Sequence, residues 1–316
     1  MNKQKLIILT GPTAVGKSKL SIELAKRIGG EIISADSMQV YKYMNIGTDK
    51  ISEDKMCGVR HHLIDFLDPR EDFNVVMFQS LVKEAIKDIS SRGRIPIMVG
   101  GTGFYIQAVL YDIDFTETDS DNSLRHELEE RVKNGQAHEI YMELMKVDPK
   151  SCEIIHENNS KRVIRALEYY KKTGKPISLH NEEQHLKSSP YDFRYFVLTD
   201  ERKTLYSRID KRVDQMMYDG LVEETKKLLD MDIPGGATSM QSLGYRELIG
   251  YLNGEYDLER AICLIKQNTR HFAKRQLTWF KREKFVSWID KNEYDHRDDL
   301  ILERIVKECE NERKDV

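Results

Sequence analysis

The first regular pattern in the chain is Lys5–Thr10 (KLIILT), a near-continuous apolar run of the kind that forms a strand buried on both faces of a parallel sheet. Ser18–Ile28 then carries apolar residues at helical spacing (Leu20, Ile22, Leu24, Ala25, Ile28), and Gly29-Gly30 ends it. Glu31–Ser34 predicts a second short strand. Asn74–Arg92 predicts a long amphipathic helix with Val75, Val76, Phe78, Leu81, Val82, Ala85, Ile86 and Ile89 as its apolar positions. Ile95–Val99 predicts another buried strand, and Thr102–Leu110 the helix after it. Alternation of this sort belongs to α/β domains with a parallel sheet.

Around residue 113 the alternation stops. Asp112–Asp121 (DIDFTETDSD) is acidic and aperiodic, which marks a boundary loop. From Asn122 to about Glu183 every segment has helical character. Phe193–Leu198 (FRYFVL) is again a strand pattern, and helices follow at about Lys203–Met217, Leu221–Leu229, Tyr245–Leu252 and Leu258–Lys284. Phe285–Ile289 predicts a last short strand and Asp298–Glu312 a charged helix. The expected layout is a discontinuous α/β core from residues 1–113 and 190–290, an all-helical insertion over 114–189, and an acidic C-terminal helix in 291–316.

Composition narrows the class. With 40% hydrophobic and 33% charged residues the chain can bury a core and is not a disordered segment. The longest uncharged stretch, Ile95–Tyr111, is broken by Gly100, Gly101 and Gly103, so it is not a membrane span. The start, MNKQKLIILTG, has no signal-peptide pattern. Cys57, Cys152, Cys263 and Cys309 form no CxxC pair and have no histidine cluster at metal spacing, as expected of free thiols in a reducing compartment. A soluble, cytoplasmic, monomeric protein without a membrane partner is expected.

Candidate chemistry starts at Gly11–Ser18 (GPTAVGKS), which matches GxxxxGK[ST] between a buried strand and an amphipathic helix. Gly11 and Gly16 let the backbone turn so that successive N–H groups, including those of Thr13, Ala14 and Val15, converge on one anion. The helix N-terminus adds partial positive charge, Lys17 a full one, and the Ser18 hydroxyl can hold Mg²⁺. The fold class is therefore α/β, with a P-loop NTPase-like parallel sheet core flanked by helices. Most such loops hold ATP or GTP, so a kinase of a small metabolite or nucleotide is one reading.

Two further loops leave strands at the same sheet edge. Asp36-Ser37-Met38-Gln39 follows the second strand: Asp36 is either a general base or metal ligand or a simple helix cap, and Gln39 offers the donor and acceptor that complement a base edge. Gly100-Gly101-Thr102-Gly103 follows the third strand, where Thr102 can cap a helix or touch ligand. Three loops converging on one edge imply one site.

The formal net charge of −3 hides an uneven distribution. Ser160–Lys175 has six basic residues against Glu168, and Arg270–Lys284 has six against Glu283, a local +5 in each, while Asp290–Val316 is at −4. Aromatics lie within both basic stretches (Tyr169, Tyr170; Phe272, Trp279, Phe280). Such a face suits a phosphate backbone and unstacked bases, and equally a solvated helix surface over core aromatics. A non-catalytic RNA-binding protein is thus a further reading, though one needing neither the phosphate loop nor Asp36.

Taken together, the motifs resemble the bacterial tRNA dimethylallyltransferases (tRNA isopentenyltransferases). The resemblance runs from about Leu6 to Ile289 and is carried by GPTAVGKS at 11–18, ISADSMQVY at 33–41, HHLID at 61–65 and GGTGFY at 100–105. It continues through KRVIRALE at 161–168, RID and RVDQM at 208–216, GLVEE at 220–224, QSLGYRE at 241–247 and KRQLTWFKR at 274–282. It does not extend to the acidic C-terminal helix. It implies transfer of a dimethylallyl group from dimethylallyl diphosphate to N6 of the adenine 3′ of the anticodon in tRNA. The phosphate loop would then cradle a diphosphate, with Mg²⁺ as cofactor near Ser18 and Arg212 as a further diphosphate contact. The resemblance implies Asp36 as the base, with Lys17 and Thr102 beside it in the catalytic group. It implies tRNA contacts at Asp36, Ser37, Met38, Gln39 and Thr102, at Ser160, Lys161, Arg162, Val163 and Ile164, and at Gln241, Gly244, Tyr245 and Arg246.

Overall fold

The computed structural model describes residues 3–115, 123–234 and 236–311. Its elements run in chain order β1 (Gln4–Thr10), α1 (Lys17–Ile28), β2 (Gly30–Ala35), β3 (His61–His62), α2 (Val75–Ser91), β4 (Ile95–Gly100) and α3 (Gly103–Leu110). A helical stretch follows: α4 (Ser123–Lys133), α5 (Ala137–Val147), α6 (Pro149–Cys152), α7 (Ser160–Thr173) and α8 (Ile177–His185). The chain ends with β5 (Tyr191–Thr199), α9 (Arg202–Tyr218), α10 (Leu221–Leu229), α11 (Tyr245–Leu252), α12 (Leu258–Phe280), β6 (Val286–Asp290) and α13 (Asp298–Glu310).

The chain divides into two compact units, Met1–Leu110 with Pro190–Val316, and Tyr111–Ser189. In the first, the described strands form one six-stranded sheet in the order β3-β2-β4-β1-β5-β6, every pairing parallel. Parallel strands flanked by helices are buried on both faces, which is why β1 and β4 show no apolar–polar alternation. Ile7, Leu9, Ile32, Ile97, Phe196 and Leu198 share one cluster with Leu20 and Leu24 of α1. α2 packs on β1, β2 and β4. Its start is set by Asn74, whose Oδ1 accepts from the N–H of Val76 and Met77 at 3.0 Å each.

Three differences from the sequence expectation have physical causes. The two-residue strand β3 has too short a pattern to announce itself; the sheet supplies it, through pairing to Ile32 and Ile33 and through the buried Glu31 carboxylate. Glu31 takes His62 Nε2 at 2.8 Å and Arg92 Nη2 at 2.9 Å, and the Arg92 hydrogen bond holds its carboxyl down at about 2. α12 ends at Phe280, short of Lys284, where the chain turns toward β6. The C-terminal helix, set apart in the sequence by its charge, belongs to the first unit: Ile301 and Ile305 are fully buried in the cluster that holds α1. Only one face of a charged helix need be apolar to pack this way.

The helical unit buries Leu128, Ile140, Leu144, Val163, Ile164, Ala166 and Leu167. Within it Asp148 caps α6 through Ser151 N–H and also accepts from the Ser178 hydroxyl (2.6 Å). Residues 116–121 of the acidic boundary segment, Asn122 at the start of the helical region, and Glu312 at the chain's end lie outside the described residues.

Truncating a buried C-terminal side chain tests this packing. Ile301→Ala should lower the stability of the α/β unit by about 2–5 kcal/mol, read as a shift in the urea midpoint. An unchanged midpoint would mean that α13 does not share the core.

Candidate active site

The strand register creates the site. Thr10 of β1 pairs with Gly100 of β4, and Gly100 with Ala35 of β2. The Thr10 hydroxyl donates to the Gly100 carbonyl at 2.7 Å. The next residues, Gly11, Asp36 and Gly101, therefore leave the sheet side by side at its carboxyl edge, where ligands bind in open α/β sheets. The same edge lines a cavity of about 650 Å³.

At Gly11 the backbone has φ 146°, and a Cβ there would lie 2.4 Å from the Leu198 carbonyl oxygen of β5. Only glycine lets the phosphate loop pass this close to its neighbour strand. Lys17 folds over the loop, its ammonium donating to the carbonyls of Gly11 (2.9 Å) and Pro12 (2.8 Å). Burial, with Arg212 beside it, pulls Lys17 from 10.5 down to about 8, against the opposing pull of Asp36 and Asp49. Thr13, Ala14, Gly16 and Ser18 line the cavity, while the Val15 side chain is fully buried in the core and leaves only backbone to face a ligand.

Asp36, Ser37, Met38 and Gln39 line the opposite wall with Thr102. Asp36 Oδ1 accepts from the Met38 N–H at 2.9 Å, and burial pushes the carboxyl above its ordinary value although Lys17 and Arg212 pull the other way. The Gln39 amide is engaged within the protein: Oε1 accepts from the Ser34 hydroxyl (3.1 Å), and Nε2 donates to the carbonyls of Thr48 (3.2 Å) and Asp49 (3.3 Å). Thr102 opens α3, its N–H on the Ala35 carbonyl and its own carbonyl accepting from Tyr105 and Ile106.

Arg212 reaches in from α9. It donates to Asp49 Oδ2 at 3.0 Å and to the Thr13 hydroxyl, and its buried Nε has no hydrogen-bond partner among the described residues. Gln241, Gly244 and Arg246 also line the cavity, and Arg246 Nε is held by Glu247 at 2.7 Å. Tyr245 does not: it is fully buried, with its hydroxyl on Glu224 at 2.6 Å. Residues next to one another in a motif alternate between cavity and core, so a contiguous stretch overstates the site.

Ser160, Lys161, Arg162, Val163 and Ile164 lie at the start of α7 in the helical unit. Lys161 and Arg162 are exposed, but Val163 and Ile164 belong to that unit's core. The basic run is partly neutralised: Glu168, 1% exposed, is met by Arg125 (2.7 Å), Lys172 (3.2 Å) and Arg165 (3.6 Å). Tyr169 is buried against the His180 ring, not presented for stacking. In the α/β unit, Lys274 and Arg275 of α12 and Lys281 and Arg282 just after it are exposed, while Ala273 and Phe280 are buried. His271, Lys274, Arg275, Thr278, Trp279 and Arg282 line a groove of about 360 Å³, and the Phe104 ring meets Trp279 edge-on at 6.1 Å.

Sequence reasoning missed the residues that tie the loops together. Gln276 of α12 accepts from the Thr13 N–H at 2.9 Å and donates to the Gly101 carbonyl at 3.0 Å. It is 6% exposed, and a Cβ on Gly101 would come within 2.1 Å of its Nε2. Asp49 and His61 were also missed, and both line the cavity. Gln276 stands within KRQLTWFKR and His61 within HHLID, so both lay in quoted motifs, but partners hundreds of residues away have no local signal.

A P-loop α/β protein with a carboxylate facing its phosphate loop is the class that fold and site define. The chain matches the family described as IPP transferase over residues 39–283. It is 57% identical over 304 residues to a tRNA dimethylallyltransferase of Lachnoclostridium phytofermentans, covering 96% of this chain and 97% of that one. It is 46% identical over 296 residues to one of Acetivibrio thermocellus, covering 94% and 95%. Among solved structures it is similar to the full-length tRNA isopentenylpyrophosphate transferase of Bacillus halodurans, with TM-score 0.72, 46% identity and 96% of each chain covered. It is also similar to a eukaryotic dimethylallyltransferase acting on tRNA, with TM-score 0.80 and 34% identity over 91% of this chain and 74% of that one. The chain belongs to the IPP transferase family.

Gly101→Ala should displace the Gln276 amide, because the added Cβ would lie 2.1 Å from its Nε2, and so loosen its hold on the phosphate loop through the Thr13 N–H. The expected outcome is a folded protein, by circular dichroism, whose affinity for inorganic pyrophosphate is about tenfold weaker, the cost of losing a side chain that orients the anion-binding loop. Unaltered affinity would show that Gln276 does not shape the phosphate loop.

Proposed function

We propose that the protein transfers a dimethylallyl group from dimethylallyl diphosphate to N6 of the adenine 3′ of the anticodon in tRNA, releasing diphosphate. The observation that carries this reading is the single cavity lined by both Lys17 and Asp36, a cation for a leaving anion and a base for an attacking amine. The amine's lone pair forms the new bond to the allylic carbon. The carbon–oxygen bond breaks and its electron pair leaves on diphosphate. The N6 proton passes to Asp36, whose raised carboxyl is a better base than an ordinary aspartate.

Diphosphate gains charge as it leaves, so fixed donors matter most there. Lys17, Arg212 and the loop N–H groups of Ala14, Val15 and Gly16 supply them, while Thr13, whose N–H is taken by Gln276, lines the site beside Arg212. Among the described residues no three His, Cys, Asp or Glu side chains cluster to hold a metal. This sparse oxygen set fits Mg²⁺, which keeps several waters and takes its other ligands from one or two protein oxygens and substrate phosphates. The Ser18 hydroxyl would hold it, where its charge would neutralise part of the diphosphate.

On the RNA side, Ser37, Met38, Gln39 and Thr102 face the target base, and Gln39 exchanges part of its hold on Ser34 or Thr48 for the adenine edge. Gln241, Gly244 and Arg246 contact RNA beside the cavity, and the buried Tyr245 supports them. Ser160, Lys161 and Arg162 contact it from the helical unit, where Val163 and Ile164 set the helix. A stacked adenine must be flipped out to present N6, at a cost of a few kcal/mol. Among the described residues no helix is long and apolar enough to cross a membrane, and we take the protein to act in the cytoplasm as a monomer.

Two measurements test this reading. Radiolabelled dimethylallyl diphosphate incubated with unmodified tRNA, Mg²⁺ and the protein should label the RNA; ATP turnover on a small acceptor with unlabelled RNA would overturn it. Asp36→Ala should slow transfer about 10²–10⁴-fold while tRNA binding persists, and normal transfer by that variant would remove the base role. Protonation of Lys17 gives a pH signature. Since the charged form binds the anion, pyrophosphate affinity should fall as pH rises through about 8, and Lys17→Ala should flatten that dependence. The same slope in both proteins would exclude Lys17 as its source.

A further inference from the structure

Glu224 of α10 stands outside the cavity wall, yet its carboxylate collects four donors from elements far apart in sequence. It accepts from the backbone N–H of Asn45 (3.0 Å), Ile46 (3.0 Å) and Gly47 (3.2 Å), and from the Tyr245 hydroxyl (2.6 Å). Three consecutive N–H groups aimed at one point form an anion-binding concavity, and here the protein fills it with its own carboxylate. A neutral side chain lacks the lone pairs to accept from all four.

The segment so anchored is the hinge between the two halves of the site. Its Thr48 and Asp49 carbonyls hold the Gln39 amide, on the wall that carries Asp36. Its Asp49 carboxylate holds Arg212, whose other arm donates to Thr13 of the phosphate loop. Gly47, Thr48 and Asp49 all line the cavity. We propose that Glu224 is a positioning residue that, through the 45–49 segment, sets Arg212 for the diphosphate and Gln39 for the base. This rests on the transferase reading for the identity of the two ligands, and gives the GLVEE motif a task in the reaction.

Removing the carboxylate leaves the Asn45 and Ile46 N–H groups without acceptors and Gly47 with only the Tyr245 hydroxyl at 3.2 Å, so the segment relaxes and Asp49 no longer fixes the Arg212 fork. Losing a partner that orients a ligand-binding group costs about 10–100-fold. Full-length Glu224→Ala and Glu224→Gln are compared with the parent protein in three respects: pyrophosphate affinity by calorimetry with Mg²⁺, kcat and KM for transfer to unmodified tRNA, and melting temperature. Glu224→Ala should bind pyrophosphate about tenfold more weakly and lose about 10–100-fold in kcat/KM while folded at the assay temperature. Glu224→Gln, which keeps one acceptor oxygen, should show a smaller loss in the same direction.

A double-mutant comparison separates positioning from general support. In an Asp49→Ala background the Glu224→Ala effect on pyrophosphate should shrink, because the link to Arg212 is already cut. Multiplying losses, or unchanged pyrophosphate affinity in Glu224→Ala, would overturn the proposal. Should Glu224→Ala not fold, the glutamine variant decides: parental affinity and kinetics there overturn it. If the parent protein transfers no dimethylallyl group, the transferase reading falls, while the pyrophosphate comparison still tests the positioning role.

Discussion

The pairing of Thr10 with Gly100 and of Gly100 with Ala35 is the constraint on which the site depends. It fixes where three strands end, and so where three loops begin. A shift of one residue in either pairing would move Asp36 or Gly101 by one pleat and send each side chain to the other face. The Thr10 hydroxyl on the Gly100 carbonyl, buried within the sheet, ties the ends together. From that fixed edge the phosphate loop, the Asp36 loop and the glycine turn face a common space.

Two cations then share that space. Burial disfavours the charge on Lys17, and Arg212 beside it adds to the effect. Asp36 and Asp49 offset it only in part, since Lys17 still sits well below its ordinary value. A cavity in this condition favours an anion, most of all one whose charge grows as the reaction proceeds. Long-range side chains hold the arrangement in the absence of ligand: Gln276 ties the phosphate loop to the glycine turn, and Asp49 fixes Arg212. Gln276 and Arg212 both come from the far half of the chain, so the site exists only after the two halves of the α/β unit have joined.

Local pattern made much of the fold legible. β1 and β4 are apolar runs and α2 has helical spacing from its Asn74 cap onward, because a strand buried on both faces and a half-buried helix each impose their own period. His61–His62 had no such period, since two residues cannot repeat, and the end of α12 at Phe280 had no glycine or proline to mark it. The motifs placed Lys17, Asp36 and Thr102 correctly at one edge, because the residue after a parallel strand is at that edge whatever its neighbours. They did not separate cavity from core: Val15 and Tyr245 stand inside motifs and face inward, as do Val163 and Ile164 in the helical unit.

By itself, then, the sequence determined the element types, the phosphate loop and the family, because these rest on spacing along the chain and on residue chemistry. The tertiary structure alone decided the partners of Gln276, Arg212 and Glu224, and the packing of the acidic C-terminal helix on α1. Those are contacts between segments tens to hundreds of residues apart, set by strand order and helix packing, and no local periodicity encodes which distant backbone N–H a carboxylate will meet.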